Sequence, residues 1–275
     1  MATCNMGGRA VGDADFSGSI PRIYDDVLVP MLFAPWAELL AERITAFAPR
    51  DVLETAAGTG VLTERLDRAL PDARIVATDL NPAMLDQARH RLSHVHLEPA
   101  DAQKLRFGDA SFDVVACQFG VMFFTDRAAA QREAHGVLRP GGHYVFSVWD
   151  RIDRNPASKA VSYAVAALFP HNPPRFLERT PFGHHDTAIL VEELRAAGFG
   201  AIDVASLSLP NGRVTAHEAA EGLCRGTPLS VEINAHGDDA MPRAIAAAVA
   251  ALAPLLGPDG RLDAPMAAHI LTATA

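Results

Sequence analysis

A chain of 275 residues with 49% hydrophobic and 21% charged residues has enough apolar material for a well-buried core and is not disordered in bulk. Its formal net charge of −9, with no basic run, argues against nucleic acid as a partner. Cys4, Cys117 and Cys224 are odd in number and widely spaced, which suits a reduced cytoplasmic protein and gives neither a disulfide framework nor zinc-ligand spacing.

Residues 1–19 lack the apolar core of a signal peptide and read as a disordered arm. Over residues 20–48 the apolar spacing predicts two short helices, interrupted at Pro30 and Pro35, as a helical lid before the main fold. Strands and helices then alternate. "DVLE", "ARIVATD", "VHLEPAD", "FDVVACQFGVMFF" and "HYVFSVWD" read as strands, and helices fill the gaps at 61–70, "NPAMLDQARHRL" and "RAAAQREAHGVL", the last one ended by "RPGG". The fourth strand is apolar throughout, as expected of one buried on both faces. This is the pattern of a doubly wound, mostly parallel α/β sheet of Rossmann-like type.

Beyond Asp150 the rhythm changes. "NPASKAVSYAVAALFP" reads as a helix, "HNPPRFLERTPFGHHD" as a Pro-rich loop and "TAILVEELRAAGF" as an amphipathic helix. "AIDVASLSL" is a further strand, residues 214–257 are mainly helical, and "PMAAHILTATA" closes the sheet as a seventh strand. "AIAAAVAALAPLLG" is too short for a membrane span and is broken by Pro254. Residues 49–275 are thus expected to form one domain, with helical caps over a substrate at about 153–185 and 214–257.

In an open α/β sheet a ligand lies beyond the carboxyl ends of the strands. Here those ends carry Glu54 with "AAGTG", then Asp79, Asp101–Ala102 and Gln118. Asp79 follows Gly60 by 19 residues, the spacing of an acid that accepts from ribose hydroxyls in nicotinamide and adenosylmethionine sites alike. A dinucleotide fingerprint wants a third glycine where this chain has Thr63. Three carboxylates with no Arg or Lys in these turns would serve a pyrophosphate poorly, whereas a ligand with an ammonium, a sulfonium and a ribose suits them.

"VLETAAGTG", "VATDLNPAMLDQAR", "EPADAQKLRFGDASFDVVACQFGVMFF" and "GVLRPGGHYVFSVWD" resemble, in order, the motifs of the class I S-adenosylmethionine-dependent methyltransferases over residues 48–150. Within that family the chain looks most like the small-molecule branch that includes ubiquinone and menaquinone C-methyltransferases. The resemblance implies S-adenosylmethionine as cofactor. It implies that Glu54 and the backbone of Ala56, Gly58 and Gly60 hold the methionine portion. Asp79 would take the ribose hydroxyls, and Leu80 and Met84 would lie against the adenine. Asp101 and the Ala102 amide would read the adenine edge, and Gln118 and Phe119 would sit beside the transferring methyl. Tyr24, in a segment similar to the family's lid, would close over the cofactor. Ala56 stands where the family commonly has Gly.

The implied reaction is in-line methyl transfer to a small apolar or aromatic acceptor, for which alignment and exclusion of water are the protein's main task. An acceptor that needs a base directs attention to His171, His184, His185 and His217, with His184 and His185 in "FGHHD" foremost; the plainer reading of that motif is a loop with a helix cap at Asp186 or Thr187. No metal is expected, because Gln118 and a lone Asp150 occupy the strand ends where one would be held. "CRGTPL" reads as a helix end at Gly226 and a new start at Thr227, or as a wall of the acceptor pocket. The aromatic and Met residues Phe119, Met122, Phe123, Phe124, Trp149 and Phe169 suggest an apolar pocket, or ordinary core. An NAD(P)-dependent oxidoreductase and a non-catalytic adenosylmethionine-binding partner protein are the alternatives. The sequence leaves the oligomeric state open, a homodimer included.

Overall fold

The computed structural model describes residues 13, 14, 16 and 18–275. The arm expected over 1–19 falls, for residues 1–12, 15 and 17, outside the described residues, as does Cys4. The N-terminal helices form one continuous run rather than two interrupted pieces: α1 (Ile20–Ile23), a π-helical stretch Tyr24–Phe33 and α2 (Ala34–Thr45). Pro30 lies inside the wide π turn, where bonding skips the i−4 carbonyl that a proline ring would strike in an α-helix. Pro35 sits in the first turn of α2, where no amide donor is required. Trp36, Leu40 and Ile44 bury one face of α2 completely.

The strands are β1 (Asp51–Thr55), β2 (Arg74–Asp79), β3 (His96–Pro99), β4 (Phe112–Gln118), β5 (Leu138–Trp149), β6 (Ile202–Leu209) and β7 (Met266–Thr274). They form one seven-stranded sheet in the order β3-β2-β1-β4-β5-β7-β6, with β7 antiparallel to both neighbours. The strand order reverses between β1 and β4, and a crevice opens beyond their carboxyl ends. Between the strands lie α3 (Val61–Ala69), α4 (Pro82–Ala88) and α5 (Arg127–Val137). Asn81 and Asp126 cap α4 and α5, their side chains accepting from the amides of Ala83 and Ala129, each at 2.9 Å.

Two elements differ from expectation. The fourth strand stops at Gln118 instead of running to Phe124, since Phe119 turns left-handed (φ 53°) and a short 3-10 turn, Val121–Phe123, follows. The fifth strand begins earlier, at Leu138, carrying "RPGG" in a bulge between the Phe112 and Val114 pairings that absorbs Pro140.

The later helices are α6 (Pro156–Leu168), α7 (Phe176–Arg179), α8 (Thr187–Ala196), α9 (Ala216–Arg225), α10 (Leu229–Asn234) and α11 (Ala240–Leu252). The loop expected over 171–186 therefore contains one helical turn, α7. α6, α9 and α11 pack together as a cap above the crevice. No helix among the described residues is long and apolar enough to cross a membrane.

Asn155 ties α6 to the sheet. Its buried side chain accepts from the Ala267 amide and donates to the Ala267 carbonyl, both at 3.1 Å. Asn155→Ala strands these groups of β7, and is expected to lower the unfolding free energy by about 2 kcal/mol in urea melts.

Candidate functional site

The loop after β1 is set by local backbone chemistry. Ala56 adopts a left-handed conformation (φ 52°), which costs an L-residue roughly 1 kcal/mol. Gly120 makes room for the Ala56 methyl: a Cβ at position 120 would collide with it and would lie 2.7 Å from Cys117 Sγ. Gly60 (φ 80°) precedes α3, and a Cβ there would meet Leu92 at 2.5 Å. Its glycine is required for close packing against the segment after α4.

Asp79 ends β2 with both oxygens occupied by backbone. The Gly58 amide donates to Oδ2 and the Asn81 amide to Oδ1, each at 2.8 Å. Desolvation still raises its pKa above the ordinary carboxylate range, outweighing the two amide bonds. The Ala100 amide donates to the Asp79 carbonyl at 3.1 Å, which brings in the loop after β3. In that loop Asp101 Oδ1 accepts from the Gln103 amide at 2.8 Å.

These turns form one end of an open cleft whose free space, the solvent at its mouth included, is about 1150 Å³. Of the residues expected at the cofactor, Tyr24, Ala56, Gly58, Asp79, Leu80, Met84, Asp101, Ala102, Gln118 and Phe119 line it. Leu80, 61% exposed, stands at its mouth. Glu54 and Gly60 are not on the wall. The Glu54 carboxyl is buried beneath the loop and accepts from Thr63 Oγ1 at 2.6 Å. Burial pushes its pKa up to about 8, against the lowering effect of the Thr63 bond.

The opposite end of the cleft is aromatic. Phe119 stacks on Trp149 with ring centroids 3.9 Å apart, Phe33 leans on both, and Tyr24 stacks on Phe33 at 4.8 Å. Burial and the neighbouring Asp79 and Asp25 carboxylates push the Tyr24 phenol well above its ordinary pKa, so it stays neutral. Gln118 bridges the two ends, its Nε2 donating to the Phe33 carbonyl at 2.8 Å. Because a carbonyl only accepts, that bond fixes which way the amide faces. Phe176, Phe182, Leu223 and Thr227 close the cap side. Thr227 Oγ1 donates to the Leu223 carbonyl at 2.8 Å and accepts from the Leu229 amide, so "CRGTPL" is both a helix junction and a wall.

Phe16, Asn81, Gln103, Ser158 and Phe182 line the cleft without having been singled out in the sequence. The Phe16 carbonyl accepts from Asn81 Nδ2 at 2.8 Å, and Asp13 is held by Arg179 and Thr180, so the described part of the arm packs over the cleft. Asn81 carries an "NP" helix-start signal and Phe182 opens the "FGHHD" motif; the others carry no signal.

The histidines lie elsewhere. Arg127 Nη1 donates to His184 Nδ1 at 2.8 Å, and His185 Nδ1 faces the Phe182 carbonyl at 3.0 Å; neither lines the cleft, nor do His171 and His217. Asp186 caps α8 by accepting from the Ala188 amide, which accounts for the motif. Cys224 is buried, its pKa pushed up to about 12, so it is no nucleophile. Asp79 and Asp101 are the charged side chains among the described lining residues, which include no Lys, Arg or His. An acid-walled, cation-free end suits a sulfonium and a ribose and would repel a pyrophosphate.

A methyltransferase domain matches residues 53–146. The demethylmenaquinone methyltransferase of Deinococcus radiodurans is 32% identical over 211 residues, covering 70% of this chain and 86% of the relative. The chain belongs to the class I S-adenosylmethionine-dependent methyltransferases. The ubiquinone/menaquinone biosynthesis C-methyltransferase UbiE of Hahella chejuensis is 31% identical over 184 residues, 60% of this chain and 74% of its own. The YcgJ protein of Bacillus subtilis shares the fold, with a TM-score of 0.54 and 19% identity over 86% of this chain and 97% of that one. These relatives support a methyltransferase that uses S-adenosylmethionine, and neither the oxidoreductase nor the non-catalytic alternative.

The buried Glu54 gives this methyltransferase a pH signature. Its folded pKa lies above the unfolded value, so its contribution to stability is full below about pH 4.5 and is lost as pH rises to about 8. Glu54→Gln is expected to flatten that decline, narrowing or reversing any deficit against the native protein between pH 5 and pH 8 in urea melts. Parallel pH profiles for the two proteins would show that Glu54 is ionised throughout.

Proposed function

We propose that this methyltransferase moves the methyl group of S-adenosylmethionine to an apolar ring-bearing acceptor held in the aromatic half of the cleft. The observation that carries this reading is the polarity split of one cavity: half-buried acids and loop backbone at one end, stacked rings at the other, meeting at Gln118 and Phe119. The names of the relatives make a quinol-type ring the first acceptor to try.

In this reading Asp79 accepts from the ribose hydroxyls, Leu80 and Met84 flank the adenine, and Asp101 with the Ala102 amide reads its edge. The backbone of Ala56 and Gly58 lies along the methionine portion. Glu54 and Gly60 act from beneath, one as a buried prop under the loop and one by close packing. Tyr24 covers the cleft as a neutral phenol. The bound cofactor supplies an electrophilic methyl on a sulfonium whose departure as a thioether needs no acid. The protein's own work is to exclude water with Phe33, Phe119 and Trp149 and to hold the acceptor in line, a contribution of several kcal/mol. Since no described histidine reaches the cleft, the acceptor's own acidity is expected to matter more than a protein base.

Calorimetric titration with adenosylhomocysteine is expected to show micromolar binding, weakened at least about tenfold by Asp79→Ala, the loss of roughly one charge-assisted hydrogen bond. Methyl release is then expected with naphthol-type hydroxylated rings and not with phosphorylated or carboxylated ones. Binding of NADH in place of the nucleoside would contradict the assignment of the acid end.

A further inference from the structure

The start of α6 is an unusual helix end. A helix of 13 residues leaves its first amides without partners unless a side chain caps them. Asn155 occupies the capping position but makes no such bond, because its side chain is committed to Ala267 on β7. Pro156 has no amide, and the Lys159 amide is satisfied by the Asn155 carbonyl at 3.0 Å. The amides of Ala157 and Ser158 are left over.

The Ser158 side chain supplies the second observation. It is 4% exposed and makes no hydrogen bond, although Ser162 one turn later donates to Glu178 at 3.1 Å. Ser158 lines the main cleft and also a smaller adjoining cavity of about 290 Å³, the two sharing Leu32, Trp149, Ser158 and Phe182. Asn155 and Ala157 line the smaller cavity too. The hydroxyl bonds no protein group but opens onto the cleft rather than being sealed in the core, so it is free to bond a ligand there.

We propose that the first turn of α6 is the polar subsite of the methyl acceptor: the Ser158 hydroxyl, with the Ala157 and Ser158 amides, receives an electron-rich oxygen of a hydroxylated ring. This deepens, and rests on, the reading of the cleft as a methyltransferase site. The described wall holds no Lys, Arg or His to stabilise a phenolate. The positive end of a long helix supplies that stabilisation through fixed amides. The subsite thus selects phenolic or quinol-type oxygens over amines, whose protonated form the same dipole repels. Ser158 is a specificity residue for the acceptor and makes no contact required by the cofactor.

The test uses the protein loaded with adenosylhomocysteine, and 2-naphthol and naphthalene as probes followed by fluorescence. Native protein is expected to bind 2-naphthol more tightly than naphthalene and to lower the bound naphthol's pKa relative to free solution. Ser158→Ala is expected to weaken 2-naphthol binding about fivefold or more, the size of one hydrogen bond, with naphthalene and adenosylhomocysteine affinities unchanged. Ser158→Cys, close in volume, keeps the question answerable if the alanine variant does not fold, and is expected to lose affinity for naphthol alone. Equal naphthol binding by native and variant proteins would overturn the subsite, as would a raised pKa or a native protein with no affinity for naphthol. Failure of adenosylhomocysteine to bind would instead count against the methyltransferase reading of the cleft.

Discussion

The half-buried carboxylate of Asp79 is the joint on which the site depends. Its two oxygens take amides from the turns after β1 and β2, and its carbonyl takes one from the turn after β3. Three loops, which would otherwise be independent, are thereby set relative to one another. Burial strains the arrangement electrostatically, as the upward shift at Asp79 and the neutral Tyr24 phenol above it indicate. A group held in this way is ready to accept from hydroxyls of a ligand, and its field favours positive charge nearby.

Across the cleft the constraint is steric. Two non-glycine residues, Ala56 and Phe119, are held left-handed on adjacent strand ends, and Gly120 provides the space between them. Turning Phe119 this way lays its ring flat on Trp149 and ends β4 at Gln118, whose amide then reaches Phe33 on the N-terminal helix. Strain of roughly 1–3 kcal/mol per residue is held in place here by the stacking of Phe119 on Trp149 and by the space that Gly120 leaves for Ala56. Ala56, where the family resemblance leads one to expect Gly, is thus accommodated in a left-handed conformation by the space at Gly120.

Much of this was legible in the chain. Continuous apolar runs announce the parallel strands, and strand-end position places Asp79 and Asp101 at the cleft, because buried strands and strand-end loops each follow from short-range pattern. At Pro30 the sequence predicts a break that the N-terminal helices do not have, since a π turn that tolerates proline leaves no mark in apolar spacing. The reach of the fourth strand was overestimated because "GVMFF" is equally apolar in a strand or a turn; only the left-handed Phe119 ends it. Glu54 is expected at the methionine portion because its place at a strand end is visible, whereas the Thr63 hydroxyl that holds its carboxyl beneath the loop comes from the next helix. "FGHHD" drew attention by composition, yet the fold spends it on a cap and on an arginine contact. Phe16, Ser158 and Phe182 reach the cleft through long-range packing of the arm and the cap, which no local pattern records.

The central claim is that one cavity holds the cofactor at its acid end and the acceptor at its aromatic end. A crystal structure of the complex with adenosylhomocysteine and 2-naphthol tests it most directly. The account predicts the ribose on Asp79, the adenine between Met84 and Asp101, the sulfur facing Phe119, and the naphthol ring among Phe33, Trp149 and Phe182. A nucleoside bound outside the Asp79 turn, or a naphthol ring seated away from the sulfur, would contradict it.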